Sequence, residues 1–144
     1  MASQPRPGIS QNFRFEFDPT NKILLLRVQG RLTEELLTEL YKAIRIYSTA
    51  TDAVAGIWDM SSITEFSVSS EFVRYIASLE PAMPNATTRP RFLVVPKTVG
   101  YGLARMFGLA GQRRNPLLQV VHTLDEALAA LSVQSAKFEP LSSL

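Results

Sequence analysis

The chain has 144 residues, of which 46% are hydrophobic and 19% charged, and its formal net charge at pH 7 is +2. This length fits one domain, and the apolar share excludes a disordered or fibrous protein because there is enough apolar surface to form a core. Cysteine is absent, which excludes disulfides, thiolate zinc sites and cysteine nucleophiles. No apolar run reaches the roughly 20 residues that span a bilayer, and the first residues lack a secretory signal, so we expect a cytoplasmic protein.

The chain begins with a predicted arm and a predicted hairpin. Residues 1–12 carry two prolines and a glycine among polar side chains, and residues 134–144 also have the composition of a loose end, so we expect an N-terminal arm, a C-terminal tail and one domain over 13–133. Aromatic and charged residues alternate from Phe13 to Phe17, which predicts a half-buried strand. A turn and an apolar strand over 23–28 follow, so we expect an antiparallel hairpin whose second strand ends at Gly30.

The remaining elements alternate between helices and strands. A helix is predicted to begin at Thr33, since a capping hydroxyl precedes two glutamates, and its apolar stripe comprises Leu36, Leu37, Leu40, Ile44 and Tyr47. Further strands are predicted over 54–60, 92–95 and 117–121. The other helices are expected after the serines at 67–70, at Thr98, and from the capping box of Thr123 and Glu126 through Leu131. The sequence therefore predicts an α/β fold with a five-stranded mixed sheet, parallel apart from the hairpin, and four helices.

Catalytic and metal-binding constellations are missing from the sequence. His122 is the only histidine, and no second histidine accompanies it as a metal ligand. His122 and Asp125 could belong to a serine triad, but the sequence has no serine in a G-x-S-x-G turn to act as the nucleophile. A glycine-rich phosphate loop is also absent from the sequence. We therefore expect a protein that is not an enzyme and that holds neither a metal nor another cofactor.

Candidate binding residues cluster near the third predicted strand. Asp59 is predicted to end that strand, with Ser61 just after it, at the sheet edge where α/β domains place their sites. Ser67, Ser69 and Ser70 are predicted at a helix N-terminus, where the helix dipole favours phosphate. The alternative reading is that these side chains only cap the loop and the helix.

A second group of candidates lies in the C-terminal half. Lys97 and Thr98 open the predicted third helix, with Tyr101 one turn later, and its free amides suit an anion unless Thr98 is only a cap. No acid occurs between Glu80 and Asp125. Positive charge is therefore concentrated there, and a patch suited to an acidic partner or a solvated rim is predicted at Arg105, Arg113 and Arg114. We do not expect nucleic acid as a partner, because a denser basic surface with exposed aromatic residues is absent.

Four stretches of the sequence have counterparts in a known family, most clearly 101–107 (YGLARMF) and more weakly 28–33 (VQGRLT), 58–61 (WDMS) and 124–128 (LDEAL). With these stretches the chain resembles the STAS family of anti-sigma-factor antagonists and sulfate-transporter tails, and the resemblance extends from about 13 to 131. It is greatest to the stand-alone bacterial branch similar to the sporulation anti-sigma-factor antagonist. The resemblance implies a protein-interaction module whose loop between the third strand and the second helix faces the partner.

The same resemblance bears on phosphorylation. Antagonists carry Asp-Ser-Ser-Gly in that loop and are switched off by phosphorylation of the first serine. Here the matching segment is Ser67-Val68-Ser69-Ser70, with valine at the acceptor position, so the phospho-switch does not transfer to this chain.

Two functions from different classes follow from the sequence. The leading hypothesis is a non-enzymatic, regulatory interaction module of STAS type, which binds a protein or a small anionic ligand through the edge from Asp59 to Ser70 and the helix at Thr98. The alternative is a carrier of lipid or another hydrophobic ligand, which needs an apolar cavity on the order of several hundred Å³. We also expect self-association to a homodimer through the aromatic first strand or an exposed helix.

Overall fold

The computed structural model describes residues 12–78, 89–95 and 118–141. The strands are β1 (Phe13–Asp18), β2 (Ile23–Thr33), β3 (Ala55–Ser67), β4 (Arg91–Val94), β5 (Leu118–Val121) and β6 (Glu139–Pro140). The helices are α1 (Glu34–Ala50), α2 (Ser70–Ser78) and α3 (Leu124–Ala130). The helix predicted to open at Thr98 lies outside the described residues. None of the helices in the described ranges has the length and apolar character needed to span a membrane.

The strands form one mixed sheet in the order β5-β4-β3-β2-β1-β6. β1 pairs antiparallel with β2 and with β6, whereas the pairs β2–β3, β3–β4 and β4–β5 are parallel. The predicted α/β fold with an opening hairpin and an otherwise parallel core is confirmed. The strand count differs, because the sequence predicted five strands and the described residues form six.

Apolar residues cover both faces of the sheet. On one face, the predicted stripe of α1 is buried against alternate residues of the strands, including Phe15, Leu26 and Trp58. On the other face, Ala127 of α3 packs against a second set that includes Leu25, Ile57 and Phe92. The central strands are therefore apolar on both sides, as expected for parallel strands that are covered twice.

The sequence-based strand ends at Gly30 and Met60 are wrong. β2 continues to Thr33, and Gly30 sits within it at a φ of +80°, next to a register shift between Gly30 and Arg31. Glycine adopts this backbone conformation without the strain of a side chain, so it forms a bulge and the strand continues. β3 likewise runs beyond Met60 to Ser67.

Two of the predicted helix caps are confirmed. The Thr33 hydroxyl accepts a hydrogen bond from the Leu36 N–H at 3.1 Å, and Thr123 accepts one from the Glu126 N–H at 3.1 Å. The Glu126 carboxylate reaches back to accept from the His122 N–H at 3.2 Å. These bonds satisfy amides that a helix start leaves without partners.

The segment predicted as a C-terminal tail contributes the sixth strand. Glu139 and Pro140 pair with β1, and the Leu141 N–H donates to the Phe15 carbonyl at 2.9 Å. The Asn21 side chain also donates to the Ser135 carbonyl at 3.1 Å. The edge of β1 is thus covered at this point, and the predicted self-association stays a prediction.

Asp18 organises the turn between β1 and β2. Its carboxylate is buried and accepts hydrogen bonds from the N–H groups of Thr20 at 2.9 Å and Asn21 at 3.2 Å, and from the Asn21 side chain at 2.7 Å. It also accepts from the Lys137 N–H at 3.4 Å. Burial by itself raises the pKa of Asp18, but these hydrogen bonds outweigh it, and the pKa is lowered from its ordinary value.

Candidate functional site

The structure describes one of the two predicted groups of site residues. The group on β3 and at the start of α2 lies within the described ranges. The other group lies outside them, so its role stays a prediction: Lys97, Thr98, Tyr101, Arg105, Arg113 and Arg114.

Asp59 lies inside β3 and not at its end, which corrects the sequence-based placement. Its carboxyl Oδ1 accepts hydrogen bonds from the Ser61 N–H at 3.0 Å and from the Ser61 hydroxyl at 2.5 Å. Oδ2 accepts from Arg27 Nη1 at 3.2 Å, and only 8% of the residue is exposed. The carboxylate is therefore bound by donors of its own chain.

Asp59 belongs to a charged network that the sequence did not reveal. Arg27 bridges Asp59 on β3 and Glu16 on β1, with Nε 2.6 Å from the Glu16 carboxylate. Arg14 contacts the same carboxylate at 3.0 Å. These residues share the face of the sheet opposite α1, because the strands place Arg14 and Asp59 beside Arg27 in register. The one sequence signal was the alternation of charged and aromatic residues in β1, which predicts a charged face but not its partners.

Ser67 lies at the exposed end of the β2–β3 pair. Arg31 Nε donates to the Ser67 hydroxyl at 2.8 Å and lies 3.7 Å from the Glu65 carboxylate. The Ser67 hydroxyl donates in turn to Glu65 at 3.4 Å. The Arg31 and Glu65 side chains are both more than half exposed, so this cluster adds little to stability and leaves polar groups at the surface.

Ser69 caps α2, and Ser70 is the first residue of that helix. The Ser69 hydroxyl accepts from the Phe72 N–H at 3.1 Å, which confirms the capping reading for this residue. The Ser69 N–H donates to the Glu34 carboxylate at 3.1 Å. A negative charge of the chain itself thus occupies the start of α2, where the sequence analysis considered an external anion.

An apolar surface adjoins these polar groups, and we call Phe66, Val68, Phe72 and Tyr75 the α2 patch. Phe66, Val68 and Phe72 are partly buried against the core, whereas Tyr75 is 57% exposed. The rings of Phe72 and Tyr75 lie 5.9 Å apart with 45° between their planes. The sequence analysis did not identify Tyr75 as an exposed aromatic residue.

The described part of the chain contains no group of side chains suited to binding a metal ion. No group of three or more histidine, aspartate or glutamate residues there is placed to hold a metal ion. His122 follows β5, and its N–H is engaged with Glu126 at the start of α3.

Comparison with known proteins supports the fold and leaves the family open. No family model matches the chain, and no curated protein matches it in sequence. Its structure is similar to that of an anti-sigma factor antagonist from Mycobacterium paratuberculosis, with a TM-score of 0.57 and 16% identity over 87% of this chain and 98% of that one. The chain has the STAS fold. The anti-sigma factor antagonist SpoIIAA in its unphosphorylated form is similar too, with a TM-score of 0.54 and 16% identity over 83% of this chain and 96% of that one.

The STAS resemblance expected from the sequence is thus confirmed as a resemblance of fold. Both solved structures are covered almost completely, so their whole architecture corresponds to this domain.

Proposed function

We propose that this STAS domain is a non-enzymatic regulatory module that binds a protein partner of the anti-sigma factor class. The observation that carries the proposal is the likeness to two anti-sigma factor antagonists over more than four fifths of the chain. Because fold by itself does not fix function, the proposal also needs a surface suited to a partner.

The α2 patch together with the exposed end of β2 and β3 is the surface we assign to that partner. Tyr75 supplies an exposed aromatic ring supported by Phe72, and aromatic residues dominate the energetic centres of protein interfaces. Arg31 near the end of β2 and Glu65 and Ser67 near the end of β3 provide a polar rim. Asp59 and Ser61 do not contact the partner in this proposal. Asp59 accepts hydrogen bonds from Ser61 and Arg27 of the same chain.

A small anionic ligand at the start of α2 is a weaker candidate than a protein. The Glu34 carboxylate already accepts the Ser69 N–H, and a second anion there meets like-charge repulsion. The hydrophobic-carrier alternative receives no support from the described residues either. The cavity between α1 and the sheet measures about 10 Å³, far below the size of an acyl chain.

Site-specific photo-crosslinking in cells of the source organism tests the proposal. A benzophenone amino acid replaces Tyr75 in one sample and Ile46 in the other; Ile46 lies on α1 and is 48% exposed, so it serves as the matched control. We expect an adduct with an anti-sigma factor from position 75 and none from position 46. Adducts of equal yield at both positions, or a captured protein of another class, contradict the proposal.

A further inference from the structure

The exposed face of α2 carries a carboxylate and an aromatic ring one helix turn apart. Glu71 lies in the first turn of α2 and Tyr75 follows four residues later, so both side chains project from the same face of the helix. Glu71 is exposed, and so is 57% of Tyr75. The Phe72 ring lies 5.9 Å from the Tyr75 ring, centroid to centroid, so it supports that ring while leaving much of it open to solvent.

The charge on this face is negative and unpaired. In the described part of the chain Glu71 forms no salt bridge, and neither does Arg74, although it follows three residues later. Consecutive residues of a helix point about 100° apart, so Arg74 does not share the direction of Tyr75. Glu34 adds a second carboxylate near the start of α2, where it accepts the Ser69 N–H at 3.1 Å. The α2 face is therefore acidic and aromatic in a chain whose net charge is +2.

An arginine side chain complements this combination better than other side chains of a partner protein. A guanidinium is planar, so it stacks on the face of an aromatic ring, and it also donates two parallel hydrogen bonds to a carboxylate. A lysine ammonium supplies a point charge without the planar stacking. A neutral side chain leaves the carboxylate without a counter-charge once the interface excludes water, and an acidic one adds like-charge repulsion.

We propose that the protein partner of the α2 patch presents an arginine side chain that stacks on Tyr75 and pairs with Glu71. This inference rests on the proposed function, since it names the group that is recognised at the same surface. Glu71 then selects a basic partner surface, while Tyr75 and Phe72 supply the apolar contact area. Binding weakens as salt rises, because an ion pair at an exposed position is screened.

Nuclear magnetic resonance titration of the full chain with two synthetic peptides tests the recognition of arginine without a partner protein. One peptide alternates arginine and alanine. The other has citrulline at each arginine position, which keeps the shape of the side chain and removes its charge. We expect the arginine peptide at millimolar concentration to shift the signals of Glu71, Phe72 and Tyr75, and the citrulline peptide to bind about fivefold or more weakly.

Two variants with the same loss of charge complete the titration. Glu71→Gln raises the dissociation constant of the arginine peptide about threefold or more. Asp52→Asn is the matched control and leaves this constant unchanged. Asp52 has a 66% exposed side chain and precedes β3, whereas Glu71 follows β3, so the two carboxylates lie at opposite ends of that strand.

The outcomes separate this inference from the proposed function. Equal binding of both peptides, no shift at Tyr75, or equal effects of Glu71→Gln and Asp52→Asn overturn the arginine site even where crosslinking captures an anti-sigma factor. Arginine-specific shifts at Glu71 and Tyr75, together with crosslinks to a protein of another class, support this inference and contradict the proposed function.

The protein captured at position 75 provides a second measurement. Glu71→Gln raises its dissociation constant from the chain about threefold or more at about 50 mM salt, and this effect becomes smaller at about 500 mM. An unchanged dissociation constant at the lower salt concentration overturns the pairing of Glu71 with the partner.

Discussion

Arg27 and Asp59 face each other in register on the parallel strands β2 and β3, with Arg27 Nη1 3.2 Å from Asp59 Oδ2. The same guanidinium donates through Nε to Glu16 on β1 at 2.6 Å. The side chains of Glu16 and Asp59 are only 8% and 10% exposed, whereas about a third of the Arg27 side chain is exposed. One cation therefore serves two buried acids and joins the three strands through side chains as well as backbone.

Replacing Arg27 by methionine is expected to lower the free energy of unfolding by about 1–3 kcal/mol, because the Asp59 carboxylate loses its ion-pair partner and the buried Glu16 carboxylate keeps only the exposed Arg14. Urea unfolding at pH 7 measures the loss. Arg14→Met is the matched control, since Arg14 also contacts Glu16 but its side chain is 57% exposed, and we expect it to cost less than about 1 kcal/mol. Equal losses for the two variants contradict the central role of Arg27.

Asp18→Ala is expected to destabilise the fold at pH 7 by about 1–3 kcal/mol, since the part-buried hydrogen bonds from Thr20, Asn21 and Lys137 lose their acceptor. The lowered pKa of Asp18 adds a pH dependence. Its stabilisation is complete above the ordinary value of 3.8 and is lost as the pH falls through the lower pKa of the folded state. The difference in free energy of unfolding between wild type and Asp18→Ala therefore becomes smaller at acid pH.

Urea unfolding at pH 7 and again at about pH 2.5 measures this narrowing. Asp52→Ala is the control, because Asp52 is an acid whose side chain is 66% exposed. It is expected to change stability little at either pH. If Asp18→Ala lowers the free energy of unfolding by the same amount at both pH values, the prediction is wrong.

Tyr47→Phe is expected to leave the free energy of unfolding unchanged or to raise it by up to about 1 kcal/mol at pH 7. The Tyr47 hydroxyl is buried without a hydrogen-bond partner, so its removal costs nothing and relieves desolvation. The ring keeps its stacking on Phe15, where the centroids are 4.7 Å apart. A loss above about 1 kcal/mol indicates a partner for the hydroxyl and refutes this prediction.

The same variant changes the response to alkali. Burial raises the pKa of Tyr47 from 10.0, so the stability linked to its neutral form is present below that pH and is lost as the pH rises towards the higher folded value. Tyr47→Phe removes this part of the alkaline loss. Unfolding curves at pH 9 and about pH 11 compare the two proteins, and parallel losses exclude Tyr47 as the titrating group.

Much of the fold was predictable because its signals are local. The stripe of α1 and the caps Thr33 and Thr123 depend on residues within one helix turn, and the structure has them where the sequence placed them. Gly30 misled the prediction, because a glycine reads as a strand end and nothing local distinguishes a bulge from a turn. The polar residues just after Met60 also misled the prediction, because nothing local in the sequence distinguishes them from a loop.

Features that depend on distant partners were not predictable. β6 has no strand pattern of its own and is held by the backbone of β1, so residues 134–141 read as a tail. The Arg27 network requires the register of three strands, which a single sequence does not supply. At the candidate site, capping by Ser69 was one of two readings of the sequence, but the Glu34 carboxylate beside it comes from 35 residues away.

The exposed ring of Tyr75 provides the most direct test of the proposed interaction surface. The measurement is the dissociation constant between the purified chain and the anti-sigma factor captured at position 75, for wild type, Tyr75→Ala and Ile46→Ala. Both substitutions are at exposed positions, so thermal unfolding serves to verify that both variants fold. We predict that Tyr75→Ala raises the dissociation constant about 30-fold or more while Ile46→Ala changes it less than about threefold. Equal affinity for all three proteins contradicts binding through the α2 patch.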